Sequence, residues 1–335
     1  MSKTSKILAD LVESFFRSRL AMQQHASPAT IAAYRDSIRL LLVFASNKLG
    51  KTPSRLTLPN LDRDLILAFL EHLETQRCNS VRTRNIRLTA VRSFFQHVVY
   101  SDPEWMGIAQ RILSTPKKRT KRKLLGYLER DELQDLLAAP DRSAALGRRD
   151  YAILLFLSTT GARVTETIGV NIQDVRFDIP SQVTLQGKGS KQRVVPVAAD
   201  HVAILRKLCA ERNAPTNPEA PVFVNARGHR LSRFGITYIV RRAAQKAAQQ
   251  RPQLAGRTIS PHTLRHTAAM HLLQAGVDLT TIRSWLGHVS LDTTHHYIEA
   301  DVEMKRQALE KCNAVEATST RYQPSDKLLA ILEAF

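Results

Sequence analysis

The stretch that decides the fold of this chain is Thr160-Gly161-Ala162-Arg163-Val164-Thr165-Glu166, which follows an apolar run at residues 151–157. An apolar segment that ends at a glycine predicts a buried helix and its C-terminus. Arg163 then stands three residues before Glu166, and two interpretations apply to it. Arg163 either forms an ion pair with Glu166 in a helix cap, or its planar guanidinium donates hydrogen bonds to two phosphate oxygens.

Five more polar residues follow along the chain. They are Lys188 in Gly187-Lys188-Gly189, His262 and Arg265 in His262-Thr263-Leu264-Arg265, His288 in Leu286-Gly287-His288, and Tyr297. Counted from Arg163, the six residues are separated by 25, 74, 3, 23 and 9 positions. A tyrosine hydroxyl becomes a covalent nucleophile when a base is near, and arginines stabilise the charge that develops on phosphorus. The set therefore indicates attack on a phosphodiester without a metal.

This order of residues resembles the catalytic signature of tyrosine recombinases, the phage integrase family that includes the bacterial Xer-type enzymes. The likeness extends over nearly the whole chain and is strongest from about residue 150 to 300. It implies that Tyr297 is the nucleophile, that Arg163 and Arg265 bind the phosphate, and that Lys188 protonates the leaving oxygen. It assigns His262 as a base or hydrogen-bond partner and His288 as a further donor to the phosphate. A Xer-like enzyme, or one carried by a transposon or plasmid, is favoured.

Competing candidates exist for some of these roles. Lys191 lies three residues after Lys188 in the same predicted turn, and Tyr322 is the other tyrosine of the C-terminal region. His262, His266 and His271 suggest a zinc site, but no cysteine or carboxylate lies at a supporting spacing. We therefore expect no metal and no cofactor, because a covalent phosphotyrosine conserves the energy of the broken phosphodiester.

Composition points to a polyanionic partner. The 335 residues carry a net charge of +19 and favour two domains. The excess is concentrated in residues 1–123, which hold 22 Lys and Arg against 9 Asp and Glu. This basic half predicts contact with the backbone of double-stranded DNA. No membrane span or signal peptide is expected. The cysteines Cys78, Cys209 and Cys312 fit neither a disulfide framework nor a metal site. We therefore expect a cytoplasmic, nucleoid-associated protein.

The N-terminal half predicts a helical bundle. Apolar spacing gives helices at residues 7–20, from Ser27 onward, at about 63–75 and at about 80–99. The family resemblance implies that residues 1–115 form a four-helix SAM-like domain that binds the core DNA site. A basic linker follows at residues 116–123. The expected DNA contacts are Arg82, Arg84, Arg87, Lys117, Lys118, Arg119, Lys121, Arg122 and Lys123.

The catalytic domain is expected at residues 124–300. Strands at 183–186 and 193–197 predict a hairpin around Lys188. Helices are predicted from about residue 129, at 151–160 and at about 200–212, 232–249, 263–275, 278–286 and 291–297. The fold class is thus mainly α, with a small antiparallel sheet in a mixed α/β catalytic domain. Residues 301–335 form a tail whose amphipathic helix begins at Ser325 and docks either on its own domain or on a neighbouring protomer.

The predicted function is site-specific DNA recombination, with DNA integration, excision or resolution as its outcome. Two strand exchanges through a four-way junction require self-association on DNA as a tetramer. Three alternatives remain open at this point. They are a type IB-like DNA topoisomerase, a non-catalytic DNA-binding protein of the same fold, and a metal-dependent nuclease.

Overall fold

The computed structural model describes residues 8–120, 126–187, 191–212 and 217–287. The chain forms two compact units, one up to residue 122 and one from residue 123. The two units are described separately below. No helix in the described ranges is long and apolar enough to cross a membrane.

The N-terminal unit is a helical bundle. Its helices are α1 at Leu8–Ser14, continued by π-helical residues Phe15–Gln23, α2 at Pro28–Leu49, α3 at Arg63–Thr75, α4 at Val81–Ser101 and α5 at Met106–Leu113. Ser27 accepts a hydrogen bond from the backbone of Thr30, which satisfies a free donor at the start of α2. Aromatic rings fill the core, where Phe15 packs edge-on against Phe94. The predicted helical bundle is confirmed.

Two features of this bundle differ from the prediction. The first helix turns π-helical at Phe15, and Phe15 and Leu20, five residues apart, are both buried. Five-residue spacing suits a π-turn better than an α-turn. The short helix α5, which was not predicted although its apolar residues share one face, buries Ala109 and Ile112 in the same core.

Arg84 requires a correction among the predicted DNA contacts. Only 6% of its side chain is exposed, and it donates hydrogen bonds to Asn85 Oδ1 and to the carbonyl of Pro116. Asn85 in turn pairs with both backbone groups of Lys118, at 2.8 and 3.2 Å. Arg84 therefore anchors the start of the linker to α4, and its burial withdraws it from a DNA surface.

The other predicted contacts of this unit are more accessible. Arg82, Lys117, Lys118 and Arg119 are exposed and Arg87 is partly buried, whereas Lys121, Arg122 and Lys123 lie outside the described residues. Lys118 also forms an ion pair with Glu74 at 2.7 Å. The first residues of the predicted linker are thus fastened to the bundle, although their side chains face solvent.

The second unit is mostly helical around a small sheet. Its helices are α6 at Arg130–Ala138, α7 at Ala145–Thr160, α8 at Val164–Gly169, α9 at Ala199–Ala210, α10 at Arg233–Gln250, α11 at Pro261–Gln274 and α12 at Leu279–Leu286. Its strands are β1 at Val175–Arg176, β2 at Gln182–Gln186 and β3 at Gln192–Pro196. The sheet is antiparallel in the order β1-β2-β3. The predicted fold class is confirmed; the predicted helices at 291–297 and from Ser325 lie outside the described residues.

Alternation along β2 and β3 explains how the hairpin packs. Val183, Leu185 and Val195 are fully buried, and Val183 pairs with Val195 across the two strands. Residues 152–158 of α7 are all buried, and the helix runs through the same core. It ends at Gly161, whose φ of 60° lies in the left-handed region that glycine adopts without strain. The chain is thereby turned so that Arg163 caps the next helix.

Candidate active site

Arg163 lies at the N-cap of α8 and is held there by Glu166. Its backbone N–H donates to Glu166 Oε2 and its Nη1 donates to Glu166 Oε1, both at 2.7 Å. Its side chain remains 36% exposed. The ion pair expected from the spacing is therefore present, but it leaves part of the guanidinium accessible to a ligand. The two interpretations of Arg163 are compatible.

Arg265 is one of the largest fully enclosed side chains of the described chain, with 2% of the residue exposed. It lies in the second turn of α11, whose N-terminus is capped by Ser260 and begins with Pro261. Its Nη1 donates to the carbonyl of Gly161 and its Nη2 to that of Leu286, both at 2.6 Å. These bonds join α11 to the end of α7 and to the end of α12, and they fix the plane of the guanidinium.

The C-terminus of α12 brings three arginines together. Three consecutive carbonyls accept hydrogen bonds there: Trp285 from Arg193 at 2.8 Å, Leu286 from Arg265 at 2.6 Å, and Gly287 from Arg163 at 3.1 Å. The last carbonyls of a helix lack partners within the helix and carry partial negative charge. Cations therefore fit at this end, and both predicted phosphate ligands converge on the residues that directly precede His288 in the sequence.

Glu166 joins two of these arginines. Arg193 donates to Oε1 and Oε2 of Glu166 at 2.8 and 2.7 Å, while only 1% of the Glu166 side chain is exposed. Burial raises the pKa of this carboxyl, but hydrogen bonds from Arg193 and from the Arg163 backbone outweigh it and lower the pKa from 4.5 to about 2. The stabilisation from ionised Glu166 is complete above pH 4.5 and is lost as the pH falls through 2. Glu166 is thus a carboxylate at neutral pH.

His262 lies beside these cations on the first turn of α11. Partial burial of its ring, followed by the positive charges of Arg265 and Arg163, lowers its pKa below 6.5. Its ring stacks on His266 at 5.5 Å between centroids, and burial, His262 and Arg265 lower the pKa of His266 to about 4. A neutral imidazole at pH 7 can accept a proton, so the environment of His262 suits a base or a hydrogen-bond partner.

Three of the six predicted catalytic residues, Lys188, His288 and Tyr297, lie outside the described residues. The chain on either side of Lys188 is nevertheless fixed, because the Gly187 N–H donates to the Lys191 carbonyl at 2.7 Å. Gly187 also lies against the site, since a Cβ placed on it would be 3.7 Å from Glu166 Oε1. Within the described ranges, no three His, Cys, Asp or Glu side chains are grouped to hold a metal ion.

The sequence analysis missed Arg193 as part of this site. The signal was present in the strand, because alternate residues share a face and Arg193 is in phase with buried Val195 and Val197. An arginine on the inward face of a strand requires an acceptor in the interior. Here the acceptors are Glu166 and the Trp285 carbonyl.

Gly161→Ala tests how closely the site is packed. A Cβ at this position would lie 2.5 Å from Leu286 Cδ2, on a backbone with φ of +60°. The left-handed conformation alone costs a non-glycine residue on the order of 1–2 kcal/mol, and the overlap with α12 adds to it. We expect a lower free energy of unfolding in urea, together with slower DNA cleavage because the Gly161 carbonyl holds Arg265.

Gly256→Ala is the matched control for this substitution. Gly256 has φ of +75° but nothing within 4 Å of its would-be Cβ, so it carries the backbone cost without the overlap. Equal stability losses in the two variants, with unchanged cleavage, would show that the Gly161 contact with α12 is unimportant.

Comparison with known proteins identifies the class. Residues 126–304 match the phage integrase family, and residues 11–105 match the phage integrase N-terminal SAM-like domain. The chain is 45% identical to the putative integrase/recombinase y4rC of Sinorhizobium fredii, over 98% of both chains. It is 33% identical to the tyrosine recombinase XerC of Pelobacter propionicus, over 89% of this chain and 93% of the relative.

Solved structures share the fold. The XerH site-specific recombinase bound to its difH substrate matches with a TM-score of 0.70 at 23% identity, over 87% of this chain and 82% of the other. The Tn1549 transposon integrase in complex with transposon right-end DNA matches with a TM-score of 0.68 at 14% identity, over 92% and 100%.

The chain belongs to the phage integrase family. It is a tyrosine-type recombinase, as its sequence motifs predicted, and the enzyme class is that of DNA strand breakage and rejoining. Of the alternatives, a type IB-like topoisomerase and a non-catalytic DNA-binding protein are not favoured.

Proposed function

We propose that this protein recombines specific DNA sites through a covalent bond to Tyr297. The Tyr297 hydroxyl gives its proton to His262 as the base, and its oxygen attacks a phosphodiester and forms a 3′-phosphotyrosyl bond. This step releases a 5′ oxygen, which takes a proton from Lys188. Arg163 and Arg265 bind the nonbridging oxygens and stabilise the pentacoordinate phosphorus, with His262 and His288 as further hydrogen-bonding groups. The free 5′ hydroxyl of a partner strand then attacks the phosphotyrosine and restores the phosphodiester.

The observation that carries this proposal is the convergence of arginines at the C-terminus of α12. Arg163 and Arg265, which are 102 residues apart by their numbers, both bind carbonyls of the two residues before His288. Both arginines bind neutral carbonyls at this position. The positive charge of Arg193 offsets the negative charge of Glu166. The cluster therefore retains positive charge that can bind a phosphate group.

The partners follow from the same chemistry. Exchange of two pairs of strands needs two DNA sites and four protomers, and the exposed basic residues Arg82, Lys117 and Arg119 supply contacts to the DNA backbone. The amphipathic segment from Ser325, with Leu328, Leu329, Ile331, Leu332 and Phe335, docks on a neighbouring protomer in this proposal. The protein acts in the cytoplasm, associated with the nucleoid, as a recombinase of a mobile element.

The function is tested with the wild-type protein and a nicked suicide substrate. Footprinting on the DNA that flanks the gene first identifies the bound inverted repeats, and one repeat is then built into the substrate. We expect an adduct that resists SDS, forms in EDTA and maps to the tryptic peptide 284–305, which contains Tyr297. An adduct on peptide 322–327 would identify Tyr322 instead. Loss of cleavage in EDTA would indicate a metal-dependent nuclease, and relaxation of plasmids without the site a topoisomerase.

Lys188→Ala tests the proton donor. General acids contribute about 10²- to 10⁴-fold to a rate, so we expect cleavage of a normal substrate to slow by at least about 100-fold. A substrate with sulfur in place of the bridging 5′ oxygen releases a thiolate, which leaves without a proton. The variant should cleave this sulfur substrate at nearly the wild-type rate, as measured in single-turnover assays.

Lys191→Ala is the control for the same turn. Lys191 is exposed and holds the turn through its backbone carbonyl, which the substitution leaves in place. It should cleave both substrates at nearly the wild-type rate. If Lys191→Ala instead shows the selective rescue by sulfur, the proton donor is Lys191.

A further inference from the structure

Arg193, one of the three arginines that donate to the last carbonyls of α12, has no role in the proposed chemistry. Only 10% of its side chain is exposed, and each of its three guanidinium nitrogens has a hydrogen-bond acceptor. All three acceptors belong to the protein. Its contacts join three segments: strand β3, the carboxylate beside Arg163, and the last turn of α12.

The charge of Arg193 bears on Arg163. Glu166 accepts from both guanidiniums and is almost fully buried. With Arg193 in place, one negative charge is shared between two positive ones, and the cluster stays positive. Without Arg193, Glu166 would neutralise Arg163 one to one and would be free to rotate toward it. Arg163 would then have less charge and a less fixed plane for binding a phosphate.

The position of Arg193 in the sheet bears on Lys188. Arg193 pairs with Leu185 in the hairpin, and the next hydrogen bond toward the turn joins Gly187 and Lys191. The bond from Arg193 Nε to the Trp285 carbonyl therefore ties the base of this turn to α12 at 2.8 Å. A Cβ on Gly287 would lie 3.1 Å from Arg193 Cδ, so the packing at this junction is tight.

We propose that Arg193 is a positioning residue for DNA cleavage: it holds Glu166 so that the carboxylate orients Arg163, and it fixes the hairpin of Lys188 against the end of α12. This role rests on the proposed function. A buried ion pair alone is weak evidence for stabilisation of a fold. The distinguishing feature here is that one side chain contacts the supports of several proposed catalytic residues.

The test is a double-mutant cycle between Arg193→Gln and Glu166→Gln. Single-turnover cleavage at saturating suicide substrate, the Kd for a half-site and the melting temperature are measured for each variant. Removal of a partner that orients a contacting group costs about 10- to 100-fold, and we expect Arg193→Gln to lose about 10- to 100-fold in rate. Its Kd should stay within about twofold of wild type, since Arg193 touches no DNA in this proposal. In the Glu166→Gln background, Arg193→Gln should add no more than about threefold, because the two residues act as one unit.

Arg212→Gln is the matched structural control. Arg212 also binds buried backbone, through the carbonyls of Pro221 and Val222, but makes no contact with Glu166. It should lower the melting temperature without changing the cleavage rate of the folded protein. Arg193→Lys should rescue poorly, because an ammonium cannot reproduce the fork on Glu166.

The outcomes separate the two proposals. An inactive wild type would defeat the proposed function, and the role of Arg193 with it. If the wild type is active and Arg193→Gln cleaves at the same rate, the role of Arg193 alone is overturned. The same holds if the rate losses of Arg193→Gln and Glu166→Gln multiply in the double variant. A comparable rate loss in Arg212→Gln would show that Arg193 acts on cleavage only through the stability of the fold, and the positioning role would be wrong.

Discussion

Tyr297→Phe is expected to abolish covalent adduct formation while leaving DNA binding unchanged. The substitution removes one oxygen and keeps the ring, so the only group lost is the proposed nucleophile. Removing a nucleophile from a concerted catalytic set costs several orders of magnitude, and we expect a rate loss of at least about 10⁴-fold. Affinity for a half-site should stay within about twofold, since contacts to the DNA backbone supply most of it. Gel-shift titration and SDS-resistant adducts on the suicide substrate measure the two quantities.

Tyr322→Phe is the matched control, since it removes the same atom from the other C-terminal tyrosine. It should cleave at the wild-type rate. Continued trapping of Tyr297→Phe, combined with failure of Tyr322→Phe, would reverse the assignment. A second informative result is a tight, inactive complex of Tyr297→Phe on paired sites, because it would separate assembly of the synapse from chemistry.

Local patterns accounted for most of the fold. The apolar period placed α3 and α4 near their observed bounds, and α2 begins directly after Ser27, as the sequence predicted. Alternation placed β2 and β3 to within one residue. Such patterns are local, because each depends on side chains a few positions apart that share one face. The π-helical turn at Phe15 carries no such period and was missed. The short α5 was also missed, although its apolar residues share one face.

The contacts of the site could not be predicted in the same way. The Arg193 bond to Trp285 joins residues 92 positions apart, and the Arg265 bond to Gly161 spans 104. Periodicity shows that an arginine faces inward but does not identify its acceptor. The burial of Arg84 is a similar case, since its partner Pro116 lies 32 positions away in the linker. Only the family motif placed Arg163 and Arg265 in one site, and the geometry supports that part of the motif.

Arg265→Lys is expected to lose both stability and nearly all cleavage, whereas Arg163→Lys should lose chiefly cleavage. The Arg265 guanidinium bridges the carbonyls of Gly161 and Leu286 from a buried position. An ammonium cannot span both, so one buried carbonyl loses its partner, which costs on the order of 1–3 kcal/mol. The Arg163 side chain is 36% exposed, so water can replace the hydrogen bond that the Gly287 carbonyl loses in Arg163→Lys. Urea denaturation should therefore separate the two variants.

Both lysine variants should cleave at least about 100-fold more slowly than wild type, because a point charge does not reproduce a bidentate fork on the phosphate. The salt dependence of binding should be unchanged, since each variant keeps its positive charge. Arg212→Lys provides the control for lysine at a carbonyl-bridging arginine away from the site. Arg212→Lys should have a lower free energy of unfolding, whereas its folded fraction should cleave at the wild-type rate. Near-normal cleavage by Arg265→Lys would mean that charge alone suffices there, and the fork geometry proposed for the phosphate would then be wrong.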